Sequence, residues 1–299
     1  MFLKNRIIKV LNHTEENIFE ILTDICLKHN CKIFTKVRVA DIIIIQNSGI
    51  RNELYTYALS AHFDFLICDF SSFPLFAVEF DGPLHNNSKQ QHNDCLKDEL
   101  CNYFEFPILR VYNNYNYAVS NELNYLAWLV ECYFAYQDFE KEKKFHKDLN
   151  PYEIFAPSIV YSIDEYKSEY PLCPSFKIRS KFFRMHLDNL IYSFSPIILI
   201  FKDINDTFYH SLGYLQLSEN EFVISRFKLK NNSFFEGQFL DNHVKSFYFS
   251  ELLTELTMTD LFSKTECILN NASSDTLCES KLENLKQRYN KNFIWLGSR

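Results

Sequence analysis

Glycine is scarce in this chain. Five glycines in 299 residues exclude collagen-like and Gly-rich linker architectures. None of the five is arranged as G-x-G-x-x-G, so a dinucleotide- or phosphate-cradling turn of that type is excluded as well. No Cys-x-x-Cys pair occurs among the nine cysteines, which argues against zinc ribbons. An odd number of scattered thiols reads as reduced and buried, as in a cytoplasmic protein. Long apolar runs are also missing. Ile42–Ile45 and Ile197–Phe201 are strand-sized, far short of the ~20 residues of a membrane span. Lys4, Arg6 and Lys9 interrupt the first eleven residues, leaving no signal-peptide core. No membrane partner is therefore expected. Nor is there an excess of positive charge. Lys and Arg number 31 against 38 Asp and Glu, for a net charge of -7. That excludes coating nucleic acid by bulk charge and leaves only a local basic groove.

Apolar and aromatic side chains are plentiful. Hydrophobic residues make up 47% of the chain and phenylalanine alone contributes 30 residues, enough for substantial cores. At ~100–200 residues per domain the length predicts two domains. The division expected is residues 1–115, a helical linker over 116–149, and 150–299.

In the first part, Asn12 and Glu15 have capping-box spacing ahead of Ile18, Phe19, Leu22, Ile25 and Cys26, which predicts an amphipathic helix over 14–29. Lys32–Ile45 reads as a strand and 54–59 as a helical stretch. Two apolar strands, 63–70 and 75–80, are joined by Ser71-Ser72-Phe73-Pro74 as a hairpin. A helix over 89–104 and a strand over 108–112 follow, then a long helix over 121–144. In the second part the expected elements are helices 181–192, 250–269 and 280–290, and strands 197–202, 208–217, 221–230 and 234–239. The fold class is α/β in the first part and α+β in the second.

The residues that suggest chemistry cluster between Asp64 and Lys97. If the hairpin turn is centred on Ser72 and Phe73, Asp64 faces Asp81 and Leu66 faces Glu79. Cross-strand partners and residues two apart share a face, so Asp64, Glu79 and Asp81 converge. Asp69 lies roughly 16 Å away at ~3.3 Å per residue and on the other face. A one-residue slip would change which acids meet. Three neighbouring carboxylates repel each other and invite a cation. An all-oxygen set suits Mg²⁺ or Mn²⁺, and such an ion polarises a phosphodiester and generates a nucleophilic water. Acids spread along strand ends for solubility produce the same letters.

With Asp on the second strand and Glu-x-Asp on the third, the order helix–strand–strand–strand–helix–strand resembles the PD-(D/E)XK nuclease superfamily. More closely, Lys36-Val-Arg-Val-Ala-Asp-Ile-Ile43, Asp64-Phe, Val78-Glu-Phe-Asp-Gly82, His85, Gln91, Asp94, Lys97 and Pro107-Ile-Leu-Arg110 are similar to an uncharacterised bacterial family of nuclease-like domains. In that family an ExD strand is followed by a His and a Q-x-x-D helix. Very-short-patch repair endonucleases are distantly similar. The resemblance spans about 11–112. It implies a restriction-endonuclease-like αβββαβ core and metal-dependent cleavage of DNA, with RNA not separable by these residues. It implies Asp64, Glu79 and Asp81 as metal ligands. It also implies a genome-defence or repair setting with a protein partner such as a helicase or ATPase.

One departure stands out: the superfamily's strand lysine is Asp81 here. Candidates to replace it are Lys97 on the next helix, His85 in the intervening loop and Gln91 near the helix start. Asp94 is a further candidate whose plainer use is to cap or brace the loop, Glu16 resembles an extra metal-linked acid, and Arg110 suits phosphate contact or, more readily, pairing with a core-edge acid. A lysine on a helix is otherwise a solvated side chain, and a loop histidine an anchor. The rival reading is a non-catalytic binding module that keeps the fold.

The second part offers basic–aromatic segments. Lys177, Arg179, Lys181 and Arg184 interleave with Phe176, Phe182 and Phe183. Arg226, Lys228 and Lys230 alternate with Phe227 and Leu229. Both compositions suit phosphate contact and base stacking, and both also suit an amphipathic element with a solvated face.

Overall fold

The computed structural model describes residues 9–82, 88–111, 115–118, 124–145, 174–230, 242–271 and 276–298. It is a mixed α/β protein with two sheets. Two compact units divide it, the first built on Met1–Tyr117 and Asn124–Val130, the second on Glu131–Asn231 and Phe239–Arg299.

The first unit runs α1 (His13–Lys28), β1 (Lys32–Arg38), α2 (Val39–Ile42), α3 (Asn52–Ser60), β2 (His62–Cys68), β3 (Pro74–Phe80), α4 (Ser88–Tyr103) and β4 (Ile108–Val111). Asn12 and Glu15 form the expected capping box at the start of α1. Both α1 and α4 end on a left-handed residue, Asn30 and Glu105. In each case the next N–H reaches back to the last turn, Cys31 to the Cys26 carbonyl and Phe106 to the Cys101 carbonyl. The sheet order is β1-β2-β3-β4. β1, β2 and β3 are antiparallel neighbours, and β4 returns parallel to β3 after α4. Val39, Leu54, Ala58, Phe63, Ala77, Leu96, Leu100 and Ile108 pack into one buried cluster, which fixes α3 and α4 on the sheet.

The strand expected over 32–45 stops at Arg38. The apolar run beyond it is buried at Val39, Ile43 and Ile45, but against the α3–α4 side of the core. A short apolar run carries no period with which to tell these uses apart.

The second unit contains most of α5 (Tyr125–Phe145), then α6 (Ser175–Leu187), β5 (Ile197–Lys202), β6 (Phe208–Ser218), β7 (Glu221–Lys230), α7 (Asn242–Leu269), β8 (Leu277–Cys278), α8 (Glu279–Asn292) and β9 (Ile294–Ser298). The strand expected at 234–239 lies outside the described residues. The sheet order is β8-β7-β6-β5-β9, antiparallel throughout. On one face α7 packs against β6: Tyr209 stacks on Phe249 with centroids 4.3 Å apart, and Gly213 lets the helix approach. A Cβ at Gly213 would lie 2.3 Å from Cγ2 of Thr257. The same Thr257 shares a 2.6 Å hydrogen bond with Ser211. On the other face α8 places Tyr289 and Phe293 beside Phe201 and His210. α6 covers the outer side of α7 through Phe182 and Phe262. α7 is therefore enclosed between a sheet and a helix, and every residue from Tyr248 to Phe262 is buried. That accounts for its even spread of apolar residues. Among the described residues, no helix is long and apolar enough to cross a membrane.

α6 begins six residues earlier than the sequence suggests. Pro174 precedes it, and the buried Glu255 carboxylate accepts both the Ser175 N–H and its hydroxyl, each at 2.8 Å. An anion at a helix start is favoured by the exposed N–H groups and the helix dipole. The helix stops at Leu187 because Asn189 is left-handed and Leu190 bonds back to Met185.

Candidate active site

The hairpin register differs from the expected one by two residues. Phe65 pairs with Val78 and Leu66 with Ala77. Continuing that register sets Asp64 beside Glu79, not Asp81. The cause is the turn. Asp69 caps it by accepting the Phe73 N–H at 2.8 Å, Ser72 is left-handed, and the pairing shifts between Ile67 and Cys68. A shift of two keeps every side chain on its face, so Asp64 and Glu79 still meet, with their partners changed.

Phe65–Val78 is the last rung of the β2–β3 ladder. Beyond it the strands part, and the carboxylates take over the main-chain donors. Asp64 N–H donates to Oε1 of Glu79 and Phe80 N–H to Oδ2 of Asp64, both at 3.1 Å. The exchange fixes both acids at the mouth of the hairpin and leaves neither N–H unsatisfied there.

Each acid also holds a cation. Lys97 Nζ on α4 lies 2.7 Å from Oε2 of Glu79 and 2.8 Å from the His62 carbonyl. Both side chains are nearly closed to water, at 9% and 7% exposure. Burial pushes the Glu79 carboxyl pKa up and the Asp64 charge adds to this, while Lys97 and Arg110 pull it down. On the other side of Asp64, Lys36 Nζ sits 2.6 Å from Oδ1 and 2.7 Å from Oε1 of Glu15. Lys36 adopts a left-handed backbone within β1 (φ 53°), a costly conformation for a side chain of this kind. Its ammonium is held charged by these two acids.

Asp81 lies elsewhere. The expectation that it faces Asp64 is corrected by the register, and its Oδ1 accepts from Arg110 Nη1 at 2.7 Å. Arg110, fully buried on β4, also donates to Asp98 at 2.7 Å and to the Asp94 carbonyl at 3.2 Å. The expected pairing of Arg110 with acids is what the structure contains, and Asp94 braces it. Among the described residues, no three His, Cys, Asp or Glu side chains are grouped closely enough to hold a metal ion. The three-acid cluster expected from the sequence is therefore not assembled, because Arg110 draws Asp81 aside. Around the two pairs, Glu15, Asp64, Glu79, Asp81, Asp94 and Asp98 share the cations Lys36, Lys97 and Arg110. Tyr57 stands close enough to Glu79 and Asp94 for burial and their charges to raise its phenol pKa.

The remaining candidates are dispersed. His85 lies outside the described residues. Gln91 is exposed on the first turn of α4. Glu16 pairs with Lys9 on the surface at 2.9 Å, and its neighbour Glu15 is the acid that reaches the site. Lys36 and Glu15 were not expected there. Glu15 was legible only as a helix cap, and it does both jobs: Oε2 accepts the Asn12 N–H and Oε1 takes Lys36. In the second unit Lys177, Arg179, Lys181 and Arg184 are all exposed on α6. Arg226 and Lys228 are exposed on β7 and Lys230 is half-buried. Lys228 lies over the Phe208 ring at 4.9 Å.

Residues 7–128 match a family described as Protein of unknown function (DUF2726). The matched segment contains every residue of the two ion-paired acids and the Arg110 network. No curated protein and no solved structure matches the chain.

Proposed function

We propose that the first unit is a metal-dependent DNA endonuclease with a restriction-endonuclease-like core, and that Asp64, Glu79 and Lys97 are its working residues. The observation that supports this reading is the buried contact between Lys97 Nζ and Glu79, 2.7 Å long, at the point where β2 and β3 part. A PD-(D/E)XK-like site needs a lysine beside the ExD glutamate. The strand lacks one, and α4 supplies it.

The residue types suit a hard divalent cation, which would displace the protein donors now on the Asp64 and Glu79 oxygens. Mg²⁺ is commonly held by one or two carboxylates, with water and substrate phosphate completing its shell. Asp64 and Glu79 are such a pair, in surroundings where acids outnumber cations. Asp64, Glu79 and the Phe80 carbonyl would hold Mg²⁺ or Mn²⁺. When bound, the ion supplies polarisation of the phosphodiester and a more acidic water. The protein's own part follows from its geometry. Lys97, anchored on the His62 carbonyl, presents an ammonium beside Glu79, where negative charge on a pentavalent phosphorus would gather; removing such a donor typically costs ~10²–10³ in rate. Arg110 holds Asp81, Asp94 and Asp98 away from the pair and so keeps it at two carboxylates. With a net charge of -7, the chain has little long-range attraction for DNA, which favours delivery by a partner protein.

The test uses the full chain with supercoiled plasmid, Mg²⁺ or Mn²⁺, and an EDTA control. Nicking that is lost in Glu79→Gln and Asp64→Asn, with circular dichroism unchanged, is the expected result. Cleavage unchanged in both variants rejects this site. Every carboxylate oxygen of Asp64 and Glu79 is engaged by a protein donor, which favours one alternative, a non-catalytic module braced by these pairs. No nicking with either metal, together with intact binding of a nucleic acid or protein, would establish that alternative.

A further inference from the structure

We propose that the outward face of α6 binds single-stranded nucleic acid, with phosphates on its cations and a base stacked on Phe183. This site lies in the second unit and does not require the cleavage reading.

At 100° per residue, Ile178, Phe182 and Met185 fall on one side of α6. Ile178 and Phe182 are buried. The opposite side carries Arg179, then Phe183 and Leu187, then Arg184, Lys177 and Lys181 in order around the helix. An apolar strip is thus flanked by cations on both edges. Phe183 is 50% exposed and Leu187 62% exposed. The span Ser175–Leu187 holds no Asp or Glu at all. Among the described residues none of the four cations enters an ion pair. Arg179 touches the Ser175 hydroxyl at 3.3 Å, and Lys181 rests over the Phe262 ring at 4.7 Å. Four cations with no ion-pair partner among the described residues, in a chain of net charge -7, repel one another, and a polyanion relieves that repulsion. Beyond the helix, Phe194 sits against His186 with centroids 6.1 Å apart and is itself exposed, extending the aromatic surface past the helix end.

The chemistry of the occupant follows from what the face lacks. A helix that lies in a lipid surface needs a broad apolar side to insert. The broad apolar side of α6 is already spent on the protein core, and among the residues whose exposure is described only Phe183 and Leu187 are large apolar side chains facing outward. Cations beside an exposed ring match a strand whose bases are free to stack. A duplex hides its base faces and would use the cations alone.

The test is fluorescence anisotropy of a labelled oligo-dT of about 20 nucleotides in EDTA, over a series of KCl concentrations. Wild type is expected to bind. Changing Lys177, Arg179, Lys181 and Arg184 together to Gln should weaken binding by more than tenfold. At ~0.7 per phosphate contact it should also flatten the plot of log affinity against log salt by about 3. Phe183→Ala should weaken binding about 5- to 150-fold, the range for one lost stack, and leave the salt slope alone. If the fourfold variant does not fold by circular dichroism, Arg184→Gln alone should lower the slope by about 0.7. Because the binding assay runs in EDTA, where the proposed cleavage is off, loss of cleavage and loss of binding are separate results. The proposal is overturned if wild type does not bind, if the fourfold variant keeps wild-type affinity and slope, if duplex DNA of the same length binds better, or if phosphatidylserine vesicles compete the oligonucleotide away and sediment with the protein.

Discussion

Lys97→Met leaves Glu79 without its nearest counter-charge in a place almost closed to water. The two side chains are 9% and 7% exposed and 2.7 Å apart. Removing one member of a buried pair typically costs about 3–5 kcal/mol, because the other charge stays behind without its partner. At roughly 4 °C per kcal/mol for a unit of this size, Tm should fall by about 12–20 °C. The loss should depend on pH in a definite sense. Burial already raises the Glu79 pKa, and the lysine is one of the charges opposing that rise. Without it the folded pKa climbs further above the unfolded value. A carboxyl of this kind folds more readily when protonated. The variant is therefore nearest wild type below the unfolded carboxylate pKa, and the gap widens as pH rises toward the folded value. Urea unfolding at pH 5 and pH 8 reads this directly. Glu79→Gln added to Lys97→Met removes the stranded charge, keeps an acceptor for the Asp64 N–H, and should recover most of the loss. A single variant within 1 kcal/mol of wild type at pH 8, or a double variant no better than the single, would refute the reasoning.

Arg110→Met removes the buried cation that Asp81, Asp94 and Asp98 share and should cost about 3–5 kcal/mol in urea unfolding. Gly213→Ala drives a methyl group against Thr257 and should cost about 1–3 kcal/mol. Adding Thr257→Ser, which removes the clashing methyl but keeps the hydroxyl for Ser211, should return part of it. Cys278 is exposed and its thiol pKa is lowered by its bond to Ser280. It should react with iodoacetamide before Cys95 and Cys267, as followed by peptide mass spectrometry. Cys26 and Cys101, buried and pushed up to about 12, should react only on unfolding.

Much of the first unit's outline was legible because its signals are local. The Asn12–Glu15 box starts α1, and the apolar runs 65–68 and 75–78 mark β2 and β3. The hairpin register was not legible in detail. It depends on how Asp69 folds its side chain into the turn and on a left-handed Ser72, neither of which composition announces. Asp64 and Glu79 survived the error because a slip of two preserves the face. Asp81 did not, because its partner Arg110 comes from β4, across a crossover that sequence spacing cannot measure. Lys97 was found by its position on α4, but its burial was not, since a helical lysine ordinarily faces water. Lys36 was invisible as a site residue: nothing in a run of strand formers predicts a left-handed backbone. β9 was missed because Ile294-Trp-Leu-Gly-Ser298 is short and apolar on both faces, so only its pairing with β5 identifies it.

The reciprocal bonds at the hairpin mouth bear on how this protein should be probed. Asp64 and Glu79 do more than carry charge, since each ends the β2–β3 pairing by occupying an amide of the opposite strand. Truncating both to alanine would leave the Asp64 and Phe80 N–H groups without their acceptors, disturbing the opening along with removing the acids. Only the amide isosteres separate the loss of a charge from the loss of a doorway.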